Sequence, residues 1–354
     1  MSTGPNSPQG KQQLYPFRAN TQQVFQQNQT DNGKAHALGS TVSYRIDKYG
    51  ALTGILFYLF GTVTLSAGGA LAGQGPWQLV NRFRLTLNNN AIVVADIDGY
   101  HAYLLGLVMD EVFGGDGAGN YTPHTLTYSA GVSSGANTWV IPYFIPCSLN
   151  RGSDVLTGAI NMQAQTANLV LEVVLASVGT DFVTNFSSLS LTGEVHNFVY
   201  ELRKSTEVPP LVLITSQQKT ENITAVGITR HEIVPQGDLY QLVGTVIANG
   251  ARNSADVTNL QFVAGTNKYN YIESPRSNHW QWQRNYKKPA LTGVFARDFF
   301  YANEAANSGD MRDIIHTNNF TKLEWNLNLA SSATLGANNN FYHILERRMI
   351  PLAL

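Results

Sequence analysis

The chain has 354 residues, beyond the length of about 250–300 at which a single hydrophobic core usually stops growing, so two cores are expected. Its 23 Lys and Arg against 24 Asp and Glu leave a net charge of −1, and only 13% of residues are charged. That balance excludes a protein that coats nucleic acid or clings to an anionic membrane through excess positive charge, and suits a surface covered by other protein.

The first residues, Met1 to Asn6, lack the charged-then-apolar layout of a signal peptide. Residues 1–40 scatter Gln12, Gln13, Gln22, Gln23, Gln26, Gln27 and Gln29 among few apolar anchors, Leu14, Phe17, Val24 and Phe25. Such a segment cannot bury enough surface to fold alone and reads as an N-terminal arm. From Thr41 the pattern is strand after strand, with candidates at 41–47, 52–65, 79–87, 91–97, 138–145, 155–163 and 167–178. Ala51 to Val80 carries no charge, which raises a membrane span at 52–73 as one reading. Its dense part, 52–65, is shorter than the ~20 residues a span needs. It is also broken by Gly54 and Gly61, so a long strand buried on both faces fits better.

A helix is predicted over 99–110, where Tyr103, Leu104, Leu107 and Val108 share a face, and a Gly/Ser-rich loop over 114–137. Glu194–Leu202 reads as a connector, and Lys204–Pro210, with two prolines and a charge cluster, as a boundary. Further strands follow near 211–215, 223–234, 239–248, 257–264, 268–273, 291–300, 311–317 and 320–330, with a final extended piece at 341–354.

The second half repeats the first. Asn81, a strand, the turn Asn88-Asn89-Asn90, a strand and His101 recur 178 residues on as Asn259, a strand, Thr266-Asn267-Lys268, a strand and His279. Leu169, Leu171, Val173 and Leu175 recur 154 residues on as Leu323, Trp325, Leu327 and Leu329, each run closing on Ala-Ser. The offsets differ by 24, the length of the extra stretch Gly114 to Asn137. A period this long excludes a solenoid, and the strand content excludes a parallel α/β fold. The predicted fold is all-β: two tandem eight-stranded jelly rolls, each with a short helix after its fourth strand. The predicted division is an arm, 1–40, a first jelly roll with connector, 41–203, and a second with a C-terminal extension, 204–354.

Motifs of chemistry are sparse. The single cysteine, Cys147, excludes a disulfide scaffold or a multi-cysteine zinc site and points to synthesis inside a cell. Gly131-Val132-Ser133-Ser134-Gly135 spells a nucleophile elbow, but a β-like run follows it instead of a helix. Gly115-Asp116-Gly117-Ala118-Gly119 lacks the lysine of a phosphate loop. Asp96-Ile97-Asp98-Gly99 resembles a calcium loop without its closing glutamate, so Asp98 is expected to cap the helix. The eight histidines show no metal spacing, and the match of His101 with His279 suggests a structural polar role. Trp280, Trp282 and Tyr286, with Arg284, Lys287 and Lys288, form a helix whose aromatic side is expected to pack on a sheet or a neighbour. If instead exposed, Trp280, Trp282 and the 114–137 loop would make a receptor- or carbohydrate-binding site. No catalytic, cofactor-binding or metal-ligating residue is assigned, and no cofactor.

Taken together, the tandem jelly rolls behind a Gln-rich arm, with strand texts such as Trp139-Val140-Ile141-Pro142-Tyr143-Phe144-Ile145-Pro146 and Ala164-Gln165-Thr166-Ala167-Asn168-Leu169, resemble one family. It is the double jelly-roll major capsid proteins of tailless icosahedral bacteriophages, the tectivirus-like and corticovirus-like lineages with an internal membrane. The resemblance spans about 41–350. It implies a non-enzymatic homotrimer forming pseudo-hexagonal capsomers of a virion shell, made in the host cytoplasm. The partners it implies are further copies of the chain, neighbouring capsomers and minor capsid or vertex proteins, with an internal membrane within reach of the arm and no sequence-specific nucleic acid.

Overall fold

The computed structural model describes residues 23–108, 128–148, 157–163, 168–200, 212–272, 275–286, 289–299, 301–303, 308–310, 314–336 and 340–351. In chain order the first half supplies β1 (Gln23–Gln27), β2 (Lys34–His36), β3 (Thr41–Arg45), β4 (Ala51–Leu65), β5 (Val80–Leu87) and β6 (Ile92–Ile97). A first helix (Gly99–Val108) follows, then β7 (Ser129–Ala130), β8 (Gly135–Pro146), β9 (Ile160–Asn161), β10 (Leu169–Leu175) and β11 (Phe186–Tyr200). The second half supplies β12 (Val212–Asn222), β13 (Ile228–Thr229), β14 (Asp238–Ala248), β15 (Ala251–Arg252), β16 (Val257–Ala264) and β17 (Asn267–Ile272). A second helix (Pro275–Tyr286) precedes β18 (Val294–Asp298), β19 (Tyr301–Asn303), β20 (Ser308–Asp310), β21 (Ile315–His316), β22 (Leu323–Leu329) and β23 (Phe341–Pro351).

Both halves pair their strands in the same order. In the first, β1, β11, β4 and β8 form one sheet and β3, β10, β5 and β6 the facing one. In the second, β12, β23, β14 and β18 match the former, and β13, β22, β16 and β17 the latter. Each half is thus a jelly roll, with its helix following the hairpin β5–β6 or β16–β17. The predicted repeat lies where the sequence placed it: β10 runs between β3 and β5, and β22 between β13 and β16. Leu171 stands opposite Leu85, and Trp325 opposite Phe262. Matched through this ladder, β5 and β16 correspond 177 residues apart, since Leu87 faces Leu169 and Ala264 faces Leu323, one residue from the offset of 178.

The local reasons are those of strand chemistry. In β10, Leu169, Leu171, Val173 and Leu175 are buried while Val170, Glu172 and Val174 are half-buried, because successive side chains point to opposite faces. The β5–β6 turn runs through Asn88, Asn89 and Asn90 with φ of 56°, 55° and 69°, a left-handed path that asparagine tolerates. In β4, fifteen residues long, Ile55, Phe57, Leu59 and Val63 enter the first core, and the strand is paired on both edges by β11 and β8. No described helix is long and apolar enough to cross a membrane.

Several expectations need correction. Residues 23–36 are not part of a detached arm: β1 and β2 both pair with β11, supplying the outer strand of the first sheet. The supposed connector at 194–202 lies largely in β11, the strand between β1 and β4; its Val195 and Val199 are core residues. The final extended piece is β23, lodged between β12 and β14. His101 and His279 do not correspond: His101 is the buried third residue of its helix, whereas His279 is the exposed fifth of the other. Asn326, on the face of β22 that corresponds to the half-buried Glu172 of β10, is buried, and its carboxamide oxygen accepts the His231 backbone N–H at 3.2 Å. The boundary at 204–210 and the loop core at 114–127 lie outside the described residues.

The halves are fused. The outer edge of β6 pairs in parallel with β12, Ala95 to Ser216 and Asp96 to Gln217, so one sheet runs through both jelly rolls. The first core also takes in Leu213, Val243 and Leu345 from the second half, while a separate core around Trp325, Phe262 and Tyr342 lies inside the second jelly roll.

Candidate functional site: the internal junction and the open sheet face

The chemical look-alikes serve the fold. Ser133 Oγ donates to Asn137 Oδ1 at 2.7 Å, and Trp139 Nε1 donates to the Gly131 carbonyl at 2.9 Å, pinning the turn into β8. The elbow string therefore packs a hairpin. Asp96 holds Arg82 through two 2.6 Å hydrogen bonds, and Asp98 caps the first helix, its Oδ1 accepting the His101 N–H at 2.7 Å. Trp282 and Tyr286 are fully buried, their rings 5.2 Å apart, whereas Trp280 is 57% exposed. The aromatic side of this helix is thus divided between packing and surface. The Gly115–Gly119 string and the side chains of Arg284, Lys287 and Lys288 lie outside the described residues. Among the described residues no group of three His, Cys, Asp or Glu side chains is placed to hold a metal. Burial pushes the Cys147 thiol up to about 12, although the Arg347 charge opposes this, so the thiol is inert.

At the junction, Asp98 binds both halves. Its backbone N–H donates to Gln218 Oε1 at 2.8 Å and its Oδ2 accepts from Gln218 Nε2 at 2.8 Å, while Oδ1 sits 2.8 Å from His101 Nδ1. Burial works against ionisation of Asp98. The His101 charge and hydrogen bonds, with His343 beyond, nevertheless hold its carboxyl well below the usual range. His101 Nε2 lies 3.5 Å from Thr245 Oγ1 and its ring 6.0 Å from that of His343. Arg252 donates to the Tyr100 hydroxyl at 2.8 Å. A cleft of about 390 Å³ opens beside these groups, lined by Gln74, Gln78, Asn81, Asp98, Asp181 and His343 among others. The pairings that cross the junction were not legible beforehand, because each joins residues more than 100 positions apart.

A second polar cluster lies within the second half. Glu346, 1% exposed, accepts from His231 Nε2 at 2.7 Å and from Arg348 Nε at 3.0 Å, and Lys219 Nζ stands 3.5 Å away. Arg348 also donates to the carbonyls of Val234 and Gln236, at 2.6 and 2.8 Å. Burial alone would raise the Glu346 pKa, but the His231 hydrogen bond and the Arg348 and Lys219 charges bring it down to about 2.

The two outward sheet faces differ. Every residue of β14 after Asp238 is buried, whereas β11 alternates buried Leu191, Val195 and Val199 with half-buried Glu194, His196 and Phe198. On the same open face Tyr58 and Phe60 are half-buried, Ser188, Ser190 and Thr62 are exposed, and Phe25, 50% exposed, stacks on His196 at 5.0 Å.

Acid should loosen the first half. His36, 4% exposed with Nε2 2.7 Å from the Tyr44 hydroxyl, is brought down to about 4 because burial penalises its charged ring. Below the ordinary value of 6.5 the unfolded chain takes the proton first. The stability held by neutral His36 is therefore present above that pH and lost as pH falls toward 4, by up to roughly 3 kcal/mol. Urea midpoints at about pH 7 and about pH 4.5 measure this. His36→Gln should flatten the difference; an unchanged slope would refute the assignment.

This arrangement of two jelly rolls side by side, joined edge to edge, is the double jelly-roll fold, which is the fold of viral major capsid proteins. Among solved structures the chain is similar to the STIV MCP, over 93% of this chain and 97% of that one, at 14% identity and a TM-score of 0.68. It is also similar to the PBCV-1 virus capsid protein, over 93% and 94% at 11% identity and a TM-score of 0.60. For the major capsid protein of bacteriophage PM2 the figures are 94% and 98%, 10% identity and a TM-score of 0.54. No family model and no curated protein sequence matches the chain.

Proposed function

We propose that the chain is the major capsid protein of a tailless icosahedral virus, assembling as homotrimers with six jelly rolls in pseudo-hexagonal outline. The observation that carries this reading is the duplication itself: one strand order occurs twice in a chain whose halves share a continuous sheet. A fused pair turns threefold symmetry into an approximate sixfold one, which lets one gene product tile a near-hexagonal lattice. Low charge content and an open, half-apolar sheet face suit large permanent contacts, on the order of 2,000 Å² or more. The fold shared with the capsid structures above supports the same reading. The reading also takes the 204–210 segment as the division between the two jelly rolls and a bacteriophage virion as the setting. The reading includes no catalytic step and no cofactor. The sugar-binding alternative loses its paired platform, since Trp282 is buried.

Negative-stain microscopy of the purified protein tests the proposal, with three-chain particles of hexagonal outline as the expected result. Single chains at all concentrations and salts would overturn it. The arm, redrawn as residues 1–22 now that β1 and β2 belong to the first sheet, gives a second test. Deleting 1–22 should leave folded trimers that no longer close into shells, because the segment carries Leu14 and Phe17 as docking points and few other apolar side chains. Normal shells from the truncated chain would remove the arm from assembly.

A further inference from the structure

The cleft beside Asp98 is walled by both halves of the chain. Gln74, Gln78, Asn81 and Asp181 line it from the first half, and Ile247, Phe341 and His343 from the second. Gln74 and Gln78 flank and close the short 3-10 turn Gly75–Leu79, whose Pro76, Trp77 and Leu79 are buried in the protein. Gln74 is only 6% exposed and Gln78 is half-buried. Two of their atoms, Gln74 Nε2 and Gln78 Oε1, are buried without a hydrogen-bond partner in the protein. Folded chains pair nearly all such groups, so an unpaired donor and an unpaired acceptor lining one cleft mark a place that something else completes.

A single chemical group answers both atoms, since a hydroxyl accepts from an amide N–H and donates to an amide oxygen. The charges point the same way. No Lys or Arg is among the lining residues, so the cleft offers no cation to a phosphate or a carboxylate. Nor is Asp98 free to hold a cation. It already takes the His101 backbone N–H, His101 Nδ1 and Gln218 Nε2, three of the roughly four acceptor sites of a carboxylate. Asn81 and Asp181, both exposed, add two more planar polar groups. The Phe341 and His343 rings, 5.6 Å apart, and Ile247 supply apolar wall for the C–H face of a ring.

We propose that this cleft binds a neutral polyhydroxylated ligand of the hexose class, with Gln74 donating to one ring hydroxyl and Gln78 accepting from another. Its volume of about 390 Å³ falls within the ~300–1,000 Å³ of small-molecule sites. Trp280 is not among the lining residues, so the site is separate from that exposed aromatic. Because both halves line the cleft, a bound sugar ties one jelly roll to the other beside the β6–β12 pairing. The site lies within one chain, and its occupancy does not depend on shell formation.

Saturation-transfer NMR on the full chain tests this, with glucose, galactose, mannose and N-acetylglucosamine as probes and putrescine and inorganic phosphate as charged counterparts. At least one neutral sugar should bind saturably, with a Kd on the order of 1 mM, and neither charged probe should bind. Gln74→Leu should weaken the sugar about tenfold or more. Its urea midpoint should stay unchanged or rise, because the amide donor it removes is unpaired in the protein. Asn81→Ala, at an exposed position, should also weaken binding, and Trp280→Asp should leave it unchanged. No saturable sugar binding, or a lowered midpoint in Gln74→Leu, would overturn the proposal. Putrescine bound in place of the sugars would overturn the ligand class, and sugar binding that survives both Gln74→Leu and Asn81→Ala would overturn the location. Each of these results leaves the three-chain particles of the capsid reading to stand or fall on their own test.

Discussion

Replacing Trp325 by Ala should lower the unfolding free energy by about 3–5 kcal/mol, read as a shift in the denaturant midpoint at unchanged slope. The indole is fully buried at the centre of the second core, with the Tyr342 ring 5.9 Å away. On the opposite sheet Gly244 leaves room for it: a Cβ there would come within 3.0 Å of Trp325 Cη2. A cavity lined by these groups cannot collapse easily, because a backbone strand forms one wall. Leu171→Ala, at the equivalent place in the first core, should cost about 2–5 kcal/mol. Glu172→Ala, whose side chain meets Arg84 at 3.6 Å on a half-exposed face, should cost under about 1 kcal/mol. Equal losses at Leu171 and Glu172 would contradict the assignment of faces in β10.

Glu346→Ala should cost about 3–5 kcal/mol, because it leaves the buried Arg348 and His231 without the carboxylate between them. Glu346→Gln keeps the shape and one acceptor, so it should cost less. The carboxyl is depressed to about 2 in the folded chain against 4.5 ordinarily, so its contribution is present above pH 4.5 and lost as pH falls toward 2. That interval corresponds to roughly 3 kcal/mol. Acid titration of the unfolding midpoint should therefore be shallower in Glu346→Gln than in the parent over this interval. Parallel curves would show that the network does not stabilise the folded state through this charge.

The sequence alone determined the strand-rich class, the duplication and the matching of β10 with β22. The first and the last rest on a local period of two, which a strand with one buried face displays in its own residues, and the duplication rests on the recurrence of such runs at a fixed offset. The Asn88–Asn90 turn and the Asp98 cap were legible for the same reason, since a left-handed turn and a helix start each demand particular side chains on the spot. Only the tertiary structure decided what covers the second face. Glu346, Arg347 and Arg348 lie in what the sequence shows only as a final extended piece, yet all are at most 3% exposed, because β12 and β14 flank β23 and the charges find partners in distant segments. Gln23–Gln27 looks like a polar arm, yet it pairs along β11, where backbone hydrogen bonds are indifferent to the glutamine side chains. Trp280 and Trp282 are two residues apart, and whether each is buried depended on which sheet lay against their helix. Local pattern records the face a segment must hide, whereas the partner that hides the other face comes from residues a hundred or more positions away.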